Sequence, residues 1–172
     1  GGFCIVTFDR PIIDGNGDDF MVVENAFGPS FLELGFVEVS SDGIHYFRFP
    51  SVSNSTTNDI QATYIYDLAG KYEVGWGTPF DLDELPNDSL LNKWDVRYVR
   101  IVDVKRGIDI DSQGNIIYDA VCSGFSSGFD LTGVGVINAG EPYITADFQN
   151  MLASNNTYEI TTSAPPNVTT DA

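Results

Sequence analysis

This sequence predicts an all-β fold, an antiparallel β-sandwich of jelly-roll type with few short helices, and three observations carry the prediction. Short segments are rich in β-branched and aromatic residues, as in Phe-Met-Val-Val-Glu-Asn at 20–25 and Tyr-Val-Arg-Ile-Val-Asp at 98–103. Turn signals built from Gly, Asp and Asn separate these segments. A helical period of apolar residues is nearly absent. Short strands punctuated in this way pack as two facing sheets.

Taken in order, residues 3–8 read as a strand, interrupted by Asp9, Arg10 and Pro11, because proline brings no N–H to a sheet ladder. The stretch 14–19 is a turn dense in Gly and carboxylates, and 20–25 is the next strand. Residues 35–40 and 44–49 form a hairpin around Ser41, Asp42 and Gly43, where Asp-Gly supplies the positive φ that such connections need. Residues 51–59 are polar and loop-like. The stretch 68–79 sets Gly70, Gly75 and Gly77 among Tyr72, Trp76 and Pro79, and 81–85 reads as a single helical turn. Residues 96–104 make the longest strand and 129–137 the last clear one. Only 146–152 hints at a helical period. From Ser163 the chain is Pro- and Thr-rich, so the expected organisation is a jelly-roll domain over 1–152 and an extended tail or linker over 153–172.

The chain has 172 residues, enough for one domain with a real core. Eight Lys and Arg stand against 25 Asp and Glu, a formal net charge of −17. That charge repels phosphates and anionic lipid, so nucleic acid and direct membrane insertion are excluded as primary modes of binding. Charged residues make up 19% and hydrophobic ones 42%, which is a globular rather than a disordered balance. No apolar run is long enough to span a bilayer. No signal peptide is recognisable, and the strand-like start at Gly1-Gly2-Phe3 leads us to expect an upstream strand outside this sequence. Cys4 and Cys122 lie in the first strand and near the last; a disulfide between them and two buried thiols are both open.

Residues 109–119 read as a calcium loop. Asp109, Asp111 and Gln113 place oxygen donors at alternate positions, Gly114 permits the sharp turn, Asn115 follows, and Asp119 supplies an acid near the end. Calcium demands such alternation because it takes about 6–8 oxygens at about 2.3–2.6 Å. Gln113 is neutral where Asp or Asn is usual, and Asp119 is short and one place early. The flanks are strand-like, so the loop is expected between strands. The bland alternative is an Asp/Asn/Gly hairpin turn without metal. A second cluster, Asp14, Asn16, Asp18 and Asp19, is placed to hold another calcium or to be a solvated turn. Glu24 ends an otherwise apolar strand, where an unpaired charge is costly to bury. Asp130 sits similarly in Gly-Phe-Asp-Leu. Both are expected to contact a metal or loop amides.

Several ordered pieces carry a resemblance: 20–25, Val-Glu-Val-Ser-Ser-Asp-Gly at 37–43, Leu-Ala-Gly-Lys-Tyr at 68–72 with Gly-Thr-Pro-Phe-Asp at 77–81, 98–103, and Gly-Phe-Asp-Leu at 128–131 through Gly-Val-Ile at 135–137. Over roughly residues 2–138 the chain resembles a family of exported bacterial cell-surface proteins whose domain is similar to discoidin-like, galactose-binding-like jelly rolls. The resemblance implies an extracellular or cell-surface location, two antiparallel sheets with loops gathered at the ends, and a structural calcium. It also implies end loops of the kind that bind glycans.

Aromatic residues on loops are the usual platforms for sugar rings, and here they are Tyr72, Trp76 and Trp94, with Tyr64 and Tyr66 behind them. The alternative for each is to plug the core. His45 is the only histidine, expected on one face of a strand and structural, so zinc chemistry and a serine triad have no footing. Paired carboxylates for glycoside hydrolysis are not singled out by any motif. Four Asn-X-Ser/Thr sequons, at Asn54, Asn87, Asn155 and Asn167, would be glycosylation acceptors in a eukaryotic secreted protein; in an Asn- and Thr-rich bacterial chain they arise by chance, which the resemblance favours. The expected function is a non-catalytic extracellular calcium-binding domain that binds a ligand, a glycan first. The alternative is a structural or adhesive module of a larger cell-surface assembly, with a surface protein as partner.

Overall fold

The computed structural model describes residues 2–25, 28, 31–73, 75–121 and 128–142. Ten strands follow in order: β1 (Phe3–Ile12), β2 (Phe20–Glu24), β3 (Gly35–Ser40), β4 (Phe47–Arg48), β5 (Val52–Ser53), β6 (Ile65–Tyr66), β7 (Leu68–Ala69), β8 (Gly77–Phe80), β9 (Val96–Asp103) and β10 (Leu131–Val136). Among the described residues, helix is confined to two 3-10 turns, Ala62–Tyr64 and Leu82–Glu84. The fold is an all-β sandwich. One sheet runs β1-β9-β3-β4 with β7 also on β3, the other runs β10-β2-β8, and β5 and β6 form a small ribbon. Every strand pairing is antiparallel.

The core lies between the two sheets because the apolar residues of facing strands alternate inward. Phe20 and Val22 of β2, Phe80 of β8, Val37 and Val39 of β3, and Val99 and Ile101 of β9 are all buried in one cluster. Phe20 stacks on Phe80 at 5.3 Å, and Phe49 packs edge-on against Phe20. A second cluster, centred on Phe36, Leu68 and Ile117, covers the opposite face of β3. Glu38 on that same face is buried between Arg48, at 2.7 Å, and Arg100.

Three elements differ from the sequence expectation. β1 continues through Asp9, Arg10 and Pro11 to Ile12, with its register shifted between Thr7 and Ile12. β1 is an edge strand, and the irregularity absorbs the missing proline donor. The hairpin after β3 pairs again only at Phe47–Arg48, so His45 lies in the connection and not on a strand. There the Asp42 carboxylate accepts the amides of Ile44 and His45 and meets the His45 ring at 2.7 Å. These bonds hold the Asp42 carboxyl well below its usual range, the His45 ring contributing most. Within the polar stretch 51–59, Val52 and Ser53 pair with β6. Cys122, residues 146–152 and the 152/153 boundary fall outside the described residues, and so does the Cys4–Cys122 pairing.

Candidate functional site

Trp76 stands in the turn before β8. Its amide donates to the Glu73 carbonyl, and Gly75 before it takes φ +92°. That turn leaves the indole 73% exposed. Tyr72 is also exposed, and Lys71 between Tyr66 and Tyr72 lies 5.2 Å from each ring centroid. Burial pulls the Lys71 ammonium below its usual value, against the charge of Asp67. These residues open onto a groove of about 940 Å³ whose lining includes Leu32, Gln61, Thr63, Tyr72, Trp76 and Pro79. Trp94 is exposed as well but lies in the 92–95 turn, apart from the groove, with its amide on Asn92. Two of the three aromatic residues picked from sequence therefore share one cavity. Gln61 and Thr63, which no motif marks, arrive there only because the 3-10 turn at Ala62–Tyr64 folds against that wall.

The 109–119 segment is a hairpin. Ile110 bridges Ile116, and Gly114 takes φ +87° at the tip. Asp111 is buried at its centre and accepts from the amides of Ser53, Gln113 and Asn115 and from the Asn115 side chain, at 2.8–3.1 Å. Burial alone raises its carboxyl; the bonds from Ser53, Asn115 and Gln113 outweigh that and hold it below its usual value. Asp109 accepts the Lys105 amide, and Gln113 is exposed at the turn. Asp119 is buried with Oδ1 lacking a hydrogen-bond partner among the described residues. Burial chiefly pushes its carboxyl up to about 6, with Arg106 opposing and Asp103 adding. The Asp109 and Asp111 carboxylates are thus directed at backbone amides, of the loop itself and of Ser53 and Lys105, more than at a common centre.

Among the described residues, Asp14, Asp19 and Asp81 form the one acidic trio whose carboxylate oxygens all lie within 4.8 Å. The sequence marks Asp14 and Asp19 but not Asp81, which the β2–β8 pairing delivers. Burial, then Asp83 and Asp19, raise the Asp14 carboxyl. Asp19 already accepts the Gly15 and Leu82 amides and the Asn138 side chain, at 2.8–2.9 Å. A carboxylate has about four lone-pair sites, so Asp19 acts first as a turn organiser. Asp18 is exposed and outside the trio.

Glu24 is different. It is 1% exposed on the inward face of β2, beside Phe20 and Val22, and neither carboxylate oxygen has a hydrogen-bond partner among the described residues. The nearby Asn25 amide is committed to the Asp130 carbonyl at 3.1 Å. Burial first, then the Glu33 charge, push the Glu24 carboxyl up to about 7; the nearby backbone amides of Asn25 and Asp130 oppose this, and the Asp130 charge adds to it. Glu33, also buried, accepts the Gly128 amide at 2.9 Å, and its carboxyl is raised by burial and by Asp130 and Asp103. Its place is set by backbone: a Cβ on Gly70, at φ +82°, would lie 1.9 Å from the Glu33 carbonyl oxygen. Asp103 accepts the Phe129 amide at 2.9 Å and so fixes the approach of Asp130. Sequence reasoning marked Glu24 and Asp130 and missed Glu33, whose signal is an acid set between Leu32 and Leu34.

Glu84 shares a hydrogen bond with Asp67, and burial followed by the Asp67 charge pushes its carboxyl up to about 7. Neither residue lines the aromatic groove. The chain matches no family model, and no curated protein or solved structure matches it.

Proposed function

We propose that this chain is a non-catalytic, calcium-binding β-sandwich domain of the extracellular space or cell surface that binds a glycan in the groove at Trp76. The observation that carries the reading is a 73%-exposed indole, with Tyr72 beside it, at the mouth of a groove of about 940 Å³. Sugar rings present apolar C–H faces and a rim of hydroxyls. Trp76 and Tyr72 supply flat rings for the faces, and Gln61, Thr63 and Glu73 supply polar partners for the rim. The extracellular setting rests on the family resemblance.

The test is binding to a panel of neutral and acidic oligosaccharides, followed by tryptophan emission. Trp76→Ala is expected to weaken binding at least tenfold, about 1.4 kcal/mol. Its unfolding free energy is expected to stay within about 0.5 kcal/mol of the parent, because the ring is on the surface. The reading fails if no oligosaccharide perturbs the emission, or if the variant binds as the parent does.

A second reading, a structural or adhesive module that docks on a surface protein, is favoured by one observation. Ile108, Ile110, Ile116 and Val121 are 45–73% exposed along the hairpin of residues 107–121. Contiguous exposed aliphatic residues of this kind mark contact surfaces.

A further inference from the structure

We propose that Glu24, Glu33 and Asp130 form a calcium site at one end of the sandwich. The inference rests on the calcium part of the preceding reading and names where the ion sits; it is independent of the ligand in the groove.

Three observations lead there. The first is the unpartnered carboxylate. Glu24 is almost wholly buried, and both oxygens lack hydrogen bonds among the described residues. A buried ionised carboxylate without partners is costly, and natural folds neutralise it or give it a cation. The second is its company. The charges acting most strongly on Glu24 are Glu33 and Asp130, those on Glu33 are Asp130 and Asp103, and no cation is among them. The third is the scaffold. Glu24 pairs with Leu131 across β2 and β10, the Asn25 amide is tied to the Asp130 carbonyl, and Gly128 is tied to Glu33. These ties bring the segments that carry Glu24, Glu33 and Asp130 next to one another.

The donor set selects the metal. The three proposed ligands are carboxylates: His45, the only histidine of the chain, lies in the β3–β4 connection, and Cys4, which lines a cavity with Asp130, packs on the apolar cluster. Thr78 lies opposite Val22, two residues before Glu24 on the same inward face, and brings a buried hydroxyl that also has no hydrogen-bond partner among the described residues. Carboxylates mixed with neutral oxygens suit calcium better than magnesium, which demands a near-ideal octahedron. The three carboxylates are less tightly gathered than those of Asp14, Asp19 and Asp81. The ion draws them in by side-chain rotation, which exposed Asp130 permits. The Asp14 trio is the weaker site because Asp19 has already spent three of its acceptor positions on protein donors.

Calcium titration of the chelator-stripped full chain by calorimetry tests the site, with Glu24→Gln, Asp130→Asn, Asp81→Asn and Asp111→Ala as variants. Glu24→Gln is expected to weaken calcium at least a hundredfold and Asp130→Asn about tenfold, while Asp81→Asn and Asp111→Ala keep the parent affinity. Magnesium at equal concentration is expected to bind at least tenfold more weakly. If the parent binds calcium and Glu24→Gln binds it equally well, the site is refuted and calcium binding stands. Loss of binding in Asp81→Asn or Asp111→Ala alone refutes it too and moves the ion to that turn. Absence of calcium binding by the parent refutes both this site and the calcium part of the function. Asp130 lies on the surface, so Asp130→Asn remains decisive should Glu24→Gln not fold, and unchanged affinity in it also refutes the site.

Discussion

Replacing Asp111 with Ala separates the two roles open to the hairpin of residues 109–119. The carboxylate accepts four N–H donors, three of them backbone amides. Gln113 and Asn115 are exposed, so water replaces the lost acceptor there and each amide loses only about 0.5–1 kcal/mol. The amide of Ser53 is different, because Ser53 is 1% exposed. Leaving that donor unsatisfied costs about 1–3 kcal/mol. The expected loss is therefore about 2–5 kcal/mol, or a fall in Tm of about 4–20 °C for a domain of this size. Urea unfolding at pH 7, once with chelator and once with calcium, measures it. If Asp111 organises the turn, both conditions give the same loss. The pH dependence follows from the depressed carboxyl: the stabilisation is present above the unfolded value near 3.8 and disappears as pH falls through the folded value. The parent should lose that increment in acid and the variant should not. A loss below about 0.5 kcal/mol, within the range of ordinary surface substitutions, would refute the reasoning. So would a loss seen only with calcium, which would make the hairpin the ion site that its residue pattern resembles.

Two more expectations follow from buried charges. Glu38→Ala leaves Arg48 and Arg100 facing each other on one sheet, and unfolding should show a loss of about 2–3 kcal/mol, below the full value for a buried pair because both guanidiniums are partly exposed. Asp119 has its carboxyl raised to about 6, so between about pH 4 and 6 the folded chain binds more protons than the unfolded one. Parent stability should fall by up to about 3 kcal/mol as pH rises across that window, and Asp119→Asn should remove this decline in urea unfolding measured from pH 4 to 7.

The strand pattern was legible wherever apolar residues alternate over five or more positions. β2 alternates throughout and β9 in part, since a two-residue period has one physical outcome when one face is buried, whereas β3 is buried on both faces because the second apolar cluster and Arg48 cover its other side. β5 and β6 were not legible, because two residues carry no period and their pairing depends on the neighbouring ribbon. Pro11 was read locally as an interruption, although an edge strand tolerates it at an irregular register. The same limit applied to His45, whose alternating neighbours resemble a strand while Asp42 turns the chain around its carboxylate.

The candidate sites divide along the same line. Composition and turn chemistry were enough to mark an acidic all-β chain, the exposed pair Tyr72 and Trp76, and the odd placement of Glu24 at the end of an apolar strand. Sequence could not say which oxygens are already spent. Asp111 and Asp19 read as ligands, yet amides of Ser53 and Leu82, 58 and 63 residues away, occupy them. Glu24 reads as one acid among 25, yet packing leaves its carboxylate without a hydrogen-bond partner among the described residues. Local pattern dictates which residues can donate or accept, because periodicity and turn geometry act over a few bonds. Only the meeting of distant strands decides which of those groups are satisfied, because each hydrogen bond is counted against partners that the chain brings in from elsewhere.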